Sequence, residues 1–395
     1  MTKYAIIIPD GAADLPLDVF EGKSVIEAAH TPNMDEVAIN GKQGIAVTVP
    51  PELTAGSDVA MMSLLGYDPL CYYTGRAPLE AVAQDIKLGP NDWVFRCNLV
   101  TMADGRMADH SAGHISTNEG AALIEQFAEH LNAPNIRFYP GLSFRHLCVI
   151  SGIPFKVTTT PPHDIIGEKT SRHLPHGKGA DLLLKVMEQS QEFFADHDIN
   201  KVRMDLGENP VSSAWLWGQG QKAILERFST RFGVKGAAIT AVDLVKGLAR
   251  LIGFDLIDVP GATGYFDTDY KGKGAAAIKA LAKYDLVVVH VEATDEAGHA
   301  GNAQMKKKAL ELIDEHIVGP VHNALKKYDS YRILVMPDHP TPVQTRSHSH
   351  DPVPFAMAGH AVQGILHQPY CEKNAYESGF RVDKGFEMME YFLKI

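Results

Sequence analysis

Three short apolar runs constrain the fold more than any other feature of this sequence. They cover residues 4–8, 286–289 and 331–336, and none shows a strict alternation of apolar and polar residues. Strands of this kind are typical of parallel sheets that are buried on both faces. Because the runs are interspersed with helical patterns such as 242–251 and 303–325, the sequence predicts an α/β fold with a doubly wound, mostly parallel sheet.

The middle of the chain has a different pattern of residues and predicted elements. The full length of 395 residues favours two domains. Residues 76–220 carry many of the histidines and several isolated arginines between shorter strand-like runs. We therefore predict a discontinuous catalytic core, 1–75 and 221–395, and a smaller inserted α+β domain, 76–220, that binds substrate.

The overall charge limits the class of partner. A formal net charge of −11 argues against a nucleic acid or an anionic membrane as the partner. A small anionic, phosphorylated substrate remains compatible, because a local pocket of cations can outweigh a diffuse negative surface. The four cysteines are far apart, which favours reduced thiols. No apolar run approaches the roughly 18 residues of a membrane span, so we predict a soluble, cytoplasmic protein. The sequence does not indicate an oligomeric state.

Residues with metal-binding side chains follow each of the three apolar runs. Asp10 follows the first run, and Asp338-His339 follow the last, with His348 and His350 shortly after. After the second run, five potential metal or proton ligands occur within ten residues: His290, Glu292, Asp295, Glu296 and His299. Because parallel strands end at one edge of a sheet, these separate segments are predicted to meet there and form a metal site.

Ser57 is the candidate nucleophile. It follows Gly56 at an N-cap-like position before a short helical segment, where capping is the ordinary role of a serine. A metal beside it would favour the role of nucleophile instead. Three carboxylates, three neutral histidines and one deprotonated serine would balance two divalent cations. The mixed oxygen and nitrogen donors favour Mn²⁺ first, with Zn²⁺, Mg²⁺ and Co²⁺ as alternatives.

An ordered set of short motifs carries a family resemblance. The set is P-D-G at 9–11, G-S at 56–57, D-x-x-x-H-x-G at 295–301, D-H at 338–339 and H-S-x-D-P-V-P at 348–354. It resembles the cofactor-independent phosphoglycerate mutases of the alkaline phosphatase superfamily, and most closely their shorter, archaeal-type branch. The resemblance extends over essentially the whole chain, including 73–81 and 109–114.

The resemblance implies roles for individual residues. One metal would be bound by Asp10, Ser57, Asp338 and His339, with Ser57 becoming phosphorylated, and the second by Asp295, His299 and His348. His110 would face the phosphate of the substrate. Further substrate contacts are expected from Arg76, Arg96, Asn98, Arg145 and His163. His350 is a candidate for the outer shell of the metal site, and the family's cationic lysine matches either Lys271 or Lys273.

The activity that the resemblance implies is the interconversion of 3-phosphoglycerate and 2-phosphoglycerate through a phosphoserine, a step of glycolysis and gluconeogenesis. A related branch proposed to phosphorylate homoserine, and a metal-dependent phosphatase or phosphodiesterase, are the enzymatic alternatives. Residues 57–61 lack the C/S-x-P-x-R pattern of sulfatases, and no G-x-x-x-x-G-K-[ST] pattern of P-loop kinases occurs. The alternative outside enzymes is a catalytically silent metal-binding protein that acts in assembly.

Overall fold

The chain forms two compact units in a computed structural model that describes residues 2–364 and 366–394. The first unit consists of Met1–Tyr73 and Ile224–Ile395, and the second of Thr74–Ala223. The insert predicted at 76–220 falls within the second unit. Among the described residues, no helix is both long and apolar enough to cross a bilayer.

The first unit is built on an eight-stranded sheet in the order β11-β10-β12-β1-β13-β14-β2-β15. Only β14 is antiparallel to its neighbours, so the prediction of an α/β fold with a mostly parallel sheet is confirmed. The strands are β1 Lys3–Pro9, β2 Lys42–Ala46, β10 Gly236–Ile239, β11 Asp255–Leu256, β12 Leu286–Val291, β13 Tyr331–Val335, β14 Val353–Gly359 and β15 Arg381–Val382.

Helices cover both faces of this sheet. Ala5 and Ile7 of β1 lie in one hydrophobic core, while Ile6 and Ile8, on the opposite face of the strand, are also fully buried. The helices are α1 Val25–Ala28, α2 Pro32–Ile39, α3 Ser57–Leu64, α4 Pro69–Tyr72, α9 Phe228–Phe232, α10 Asp243–Leu251, α11 Tyr270–Leu281, α12 Ala293–His299, α13 Ala303–Ile313, α14 Gly319–Leu325, α15 Glu372–Glu377 and α16 Glu387–Lys394. Burial on both faces explains why the central strands lack alternation.

The second unit has an antiparallel sheet. Its strands run in the order β4-β3-β6-β5, with β9 paired to β3, and a separate ribbon joins β7 to β8. The strands are β3 Trp93–Ala103, β4 Arg106–Asp109, β5 Ile136–Tyr139, β6 Arg145–Ile150, β7 Lys156–Thr158, β8 His176–Lys178 and β9 Ser213–Gln221. The helices are α5 Ala77–Ala83, α6 Thr117–Leu131, α7 Ala180–Ala195 and α8 Asp198–Asp205. This unit has the α+β composition predicted for the insert.

The structure differs from the sequence-based elements in two places. The helix predicted at 303–325 contains a π-helical turn, Asp314–Val318, between α13 and α14. Pro320 follows that turn and has no N–H to close a regular helical hydrogen bond. Ser57 was predicted at an N-cap-like position, but Gly56 is the N-cap and Ser57 is the first residue of α3.

Candidate metal centre

Three adjacent strands place the acidic residues of the site side by side. Strand β1 lies between β12 and β13 and is parallel to both. Asp10 follows β1, Asp295 lies in α12 just after β12, and Asp338 follows β13. The carboxyl edge of the sheet is therefore where the acidic groups converge, as expected for ligand sites in open α/β sheets.

The first donor group consists of Asp295, His299 and His348. Nε2 of His299 lies 3.2 Å from Oδ2 of Asp295 and 3.0 Å from Nε2 of His348. Nε2 of His348 lies 3.5 Å from Oδ1 of Asp295. Asp295 and His299 face the same point because α12 presents residues four apart on one side.

Backbone carbonyls orient both imidazoles of the first donor group. Nδ1 of His299 lies 3.0 Å from the carbonyl oxygen of Arg346, and Nδ1 of His348 lies 3.2 Å from that of Ala55. A carbonyl can only accept a hydrogen bond, so Nδ1 carries the proton in each ring. Both Nε2 atoms then keep a lone pair that is directed into the group, which is the tautomer a metal ligand requires.

The second donor group consists of Asp10, Asp338 and His339, all fully buried. Nε2 of His339 lies 3.5 Å from Oδ1 of Asp10, 3.5 Å from Oδ2 of Asp338 and 3.0 Å from Oγ of Ser57. Oδ1 of Asp338 accepts hydrogen bonds from the backbone N–H groups of Gly11 and His339. These two bonds fix the carboxylate and leave its other oxygen directed toward the group.

The donor atoms fit divalent cations. Both carboxylate oxygens of Asp10 and Oδ2 of Asp338 are buried, and among the described residues they have no hydrogen-bond partner. Buried polar atoms are expensive to leave unpaired, so their presence here indicates a ligand. Ligands about 2.0–2.2 Å from one cation lie about 3.0–3.5 Å from each other, which is the spacing within both donor groups.

The two donor groups differ electrostatically. The pKa of Asp10 is raised well above its ordinary value by burial and by the neighbouring carboxylates of Asp338 and Glu292. Burial also raises the pKa of Asp295, but its hydrogen bonds to His299 and His348 outweigh this and hold the value well below the ordinary range. The Asp295 contact raises the pKa of His299 to about 9. Neighbouring carboxylates thus act on Asp10, whereas neighbouring imidazoles act on Asp295.

Two residues that the sequence did not indicate support both donor groups. The hydroxyl of Thr341 contacts Oδ1 of Asp295 and lies 3.3 Å from Nδ1 of His339. The backbone oxygen of Thr341 accepts a hydrogen bond of 2.8 Å from the buried ammonium of Lys306, which also pairs with Asp14 at 2.8 Å. Thr341 lies 46 positions from Asp295, and Lys306 lies 292 positions from Asp14, so no local pattern predicts these two contacts.

In the second unit, the expected substrate residues form a cluster of cations and aromatic rings. Glu80 binds Nε of Arg96 at 3.0 Å and Nε of Arg76 at 3.3 Å. The guanidinium of Arg96 lies 4.3 Å from the ring centre of Trp217, whose indole N–H donates to Oδ1 of Asn98 at 3.0 Å. Glu80 and Trp217 therefore belong to this cluster of cations and aromatic rings, although the sequence analysis did not predict either as a site residue.

The remaining members of this cluster of cations and aromatic rings lie around Trp217 and Asn98. The ring of His163 lies 5.2 Å from that of Trp217 and 6.1 Å from that of His110. Arg145 is close enough to lower the pKa of His110 electrostatically, although burial is the larger cause. Hence all six residues expected to contact substrate lie in one region of the second unit.

Three other expected residues lie apart from the donor groups. Nε2 of His350 lies 2.8 Å from the carbonyl oxygen of Leu53 and is not part of either group. Lys271 is exposed, whereas Lys273 is buried and donates to the backbone oxygen of His290 at 3.3 Å. The assignment of His350 to the outer shell of the metal site therefore stays a prediction. So does the match of Lys271 or Lys273 to the family's cationic lysine.

Comparisons with known proteins show which family this chain resembles. A family model described as 2,3-bisphosphoglycerate-independent phosphoglycerate mutase matches residues 38–200. A protein of that name from Methanothrix thermoacetophila is 45% identical over 392 residues, covering 99% of both chains. Another from Methanosarcina mazei is 48% identical over 357 residues, covering 90% of each.

Solved structures show the same fold. A Pyrococcus horikoshii protein has a TM-score of 0.82 at 28% identity and covers 99% of this chain and 96% of its own. The cofactor-independent phosphoglycerate mutase from Thermoplasma acidophilum has a TM-score of 0.68 at 26% identity, covering 100% of this chain and 99% of its own. The similarity thus extends over both units.

Proposed function

Because this chain is an enzyme that belongs to the 2,3-bisphosphoglycerate-independent phosphoglycerate mutase family, we propose that it interconverts 3-phosphoglycerate and 2-phosphoglycerate through a phosphoserine at Ser57. We propose that the reaction takes place in the cytoplasm, as a step of glycolysis and gluconeogenesis. This assignment agrees with the small anionic substrate that the cationic cluster of the second unit would accept.

One observation carries the proposal. The side chain of Ser57, only 7% exposed, has its Oγ 3.0 Å from Nε2 of His339, inside a group of buried carboxylates that lack hydrogen-bond partners among the described residues. Ser57 is the first residue of α3 and not its N-cap, and its hydroxyl contacts an imidazole rather than the backbone N–H groups that a capping serine would bond. This geometry favours a nucleophile.

Two divalent cations, Mn²⁺ first, would be bound by this site. We assign Asp10, Ser57, Asp338 and His339 to one cation and Asp295, His299 and His348 to the other. Bound there, the cations would lower the pKa of a hydroxyl and stabilise the charge on a phosphoryl group.

The residues of the chain then have separate tasks. Oγ of Ser57, having lost its proton, attacks the phosphorus of 3-phosphoglycerate, and the ester bond to the 3-oxygen breaks as the new Oγ–P bond forms. The departing 3-oxygen takes up a proton. The 2-hydroxyl of the retained glycerate then loses its proton and attacks the phosphoserine, which restores Ser57. Arg76, Arg96 and Arg145 would bind the carboxylate or phosphate through charge-assisted hydrogen bonds.

Water must be excluded while glycerate remains bound. A water molecule that reached the phosphoserine would hydrolyse it, and the net reaction would be that of a phosphatase. We therefore expect His110, Asn98 and His163 to retain glycerate during the exchange. Transfer relative to hydrolysis is the property that distinguishes a mutase from a phosphatase with the same metal ligands.

The test is a coupled assay of 3-phosphoglycerate conversion in Mn²⁺ without 2,3-bisphosphoglycerate. Wild type should turn over, and Ser57→Ala should lose at least about 10³-fold in kcat, because the nucleophile is absent. Ser63→Ala, a second buried serine of α3, is the matched control and should retain activity. Release of inorganic phosphate without 2-phosphoglycerate would indicate a phosphatase. No turnover by folded, metal-loaded wild type would exclude the mutase and direct the assay to homoserine.

A further inference from the structure

Asp10 has a contact on each of its carboxylate oxygens, and only one of the two contacts lies in the second donor group. Oδ1 lies 3.5 Å from Nε2 of His339 in the second donor group. Oδ2 lies 3.0 Å from Nε2 of His290, which belongs to neither donor group. Carboxylates that face two sets of ligands in this way are suited to bridge two cations.

A third donor group lies on the Oδ2 side of Asp10. It consists of Asp10, His290 and Glu292, whose potential ligand atoms all lie within 4.8 Å of one another. His290 is 1% exposed and is the penultimate residue of β12, so the strand itself directs its ring toward Asp10. Nε2 of His290 and Oε2 of Glu292 are buried, and neither has a hydrogen-bond partner among the described residues.

The contact between His290 and Asp10 is close but is not a hydrogen bond. The two atoms are 3.0 Å apart, yet the ring N–H direction does not meet the alignment that a hydrogen bond requires. Nδ1 of His290 lies 3.3 Å from Oγ of Thr240, which can accept its proton. In that tautomer Nε2 has a lone pair and lies beside a carboxylate oxygen, an arrangement that is repulsive unless a cation or a proton lies between them.

We propose that Asp10, His290 and Glu292 bind a further divalent cation, beyond the two of the proposed function, and that Asp10 bridges it to the cation of the second donor group. Two carboxylates and one imidazole favour Mn²⁺ or Zn²⁺ over Mg²⁺ and Ca²⁺, which prefer oxygen donors alone. The inference rests on the proposed function only in that Asp10 is a ligand in both.

Two arrangements without a cation compete with this proposal. Asp10 and Glu292 could share one proton, or the buried ammonium of Lys273, which donates to the backbone oxygen of His290, could compensate Glu292 by itself. In the first arrangement a proton on Oδ2 of Asp10 would lie 3.0 Å from Nε2 of His290, whereas in the second Nε2 has no partner. Both predict that only two cations bind per chain.

The experiment counts bound metal on the whole chain. Wild type, Glu292→Gln and His290→Asn are saturated with Mn²⁺, freed of excess ion, and measured by metal analysis and by calorimetric titration. The matched controls are Glu377→Gln and His360→Asn, whose side chains are exposed. A second measurement needs no variant: anomalous scattering from Mn²⁺-loaded crystals of wild type locates each ion directly.

The inference predicts one more equivalent of Mn²⁺ in wild type and both controls than in either variant, and an anomalous peak between Asp10, His290 and Glu292. Equal counts in all five proteins, or density at only the first and second donor groups, would overturn it. Two equivalents with normal mutase turnover would remove this inference alone. An extra equivalent in a chain without turnover would instead remove the proposed function.

Discussion

Thr341 donates its hydroxyl hydrogen to Oδ1 of Asp295, although it belongs to neither donor group and lies 46 positions further along the chain. Oγ of Thr341 also lies 3.3 Å from Nδ1 of His339 in the second group. One hydroxyl therefore orients a ligand of each proposed cation.

Thr341→Val should lower the affinity for Mn²⁺ about 10- to 100-fold, because outer-sphere hydrogen bonds of this kind hold ligands in place. Calorimetric titration measures it. Thr345→Val, on the same loop but with its hydroxyl bonded only to backbone oxygens, is the control and should bind as wild type does. Equal affinities for the two variants would show that Thr341 has no role in metal binding.

Lys306→Met should destabilise the first unit by about 3–5 kcal/mol, because it leaves the carboxylate of Asp14 buried without its cation. Denaturation followed by circular dichroism measures this loss. Adding Asp14→Asn should restore part of the stability, since no charge then remains unpaired. The partly exposed Lys307→Met is the surface control. A loss below about 1 kcal/mol for Lys306→Met would contradict the importance of the pair.

Gly11→Ala should abolish tight metal binding. Its φ is +61°, and a Cβ there would lie 2.5 Å from Oδ1 of Asp295 and 2.6 Å from Oγ of Thr341. Gly22→Ala separates the effect of backbone strain from that of the steric clash. Gly22 also has a positive φ, +81°, but no atom lies within 4 Å of the added Cβ. This substitution should cost only the roughly 1–2 kcal/mol of a left-handed alanine. Thermal unfolding and Mn²⁺ titration of both variants test this, and Mn²⁺ affinity of wild-type strength in Gly11→Ala would refute it.

His146 should make the second unit sensitive to acid. Burial lowers its pKa to about 4, below the value of about 6.5 in an unfolded chain. The unfolded state therefore takes up the proton first, so this contribution to stability is complete above about pH 6.5 and is lost as the pH falls toward 4.

His146→Asn should reduce the loss of stability between pH 7 and pH 4.5 by about 2–3 kcal/mol. Asparagine can still accept the hydrogen bond that the backbone N–H of Gly141 donates to Nδ1. The three tryptophans, Trp93, Trp215 and Trp217, all lie in the second unit, so urea unfolding followed by their fluorescence reports on it. As a control, the substitution His176→Asn at an exposed position should leave the pH dependence of stability as it is in wild type. An unaltered pH dependence in His146→Asn would show that another group is responsible.

Trp217→Phe should raise the KM for 3-phosphoglycerate about tenfold with little change in kcat. The phenyl ring can still lie against Arg96, but the hydrogen bond of 3.0 Å that orients Asn98 is lost. Trp215→Phe, on the same strand, loses a hydrogen bond to the backbone of Thr160 instead. It should lower stability and leave KM unchanged. A KM equal to wild type in Trp217→Phe would remove Asn98 and Trp217 from the substrate site.

The three aspartates that the sequence identified for the candidate metal centre share one property, which is their position next to a buried strand. Asp10, Asp295 and Asp338 each follow an apolar run, and parallel pairing of β12, β1 and β13 brings the three ends together. Strand order itself was not predictable, because several orders would satisfy the same pattern of burial. The choice of His348 over His350 likewise depended on the family resemblance, since both lie in one polar loop.

The supporting residues were not predictable for a physical reason. Trp217 contacts Asn98 across 119 positions, and Lys306 contacts Asp14 across 292. Neither pair leaves a periodic or local signal, because such contacts depend on tertiary packing rather than on the conformation of one segment. The π-helical turn before Gly319 was also missed, although Pro320 marked an interruption within a long helical pattern.

The position of β1 in the sheet has a consequence for biosynthesis. It is synthesised well before both of its neighbours, β12 and β13, which lie after residue 285. Strand β1 therefore has no partner strand while the whole second unit is translated. The strands of the second unit pair only among themselves in the described sheets, so they can pair during this time. During this interval β1 is an apolar strand without its partners, which is the condition that favours aggregation of a nascent chain.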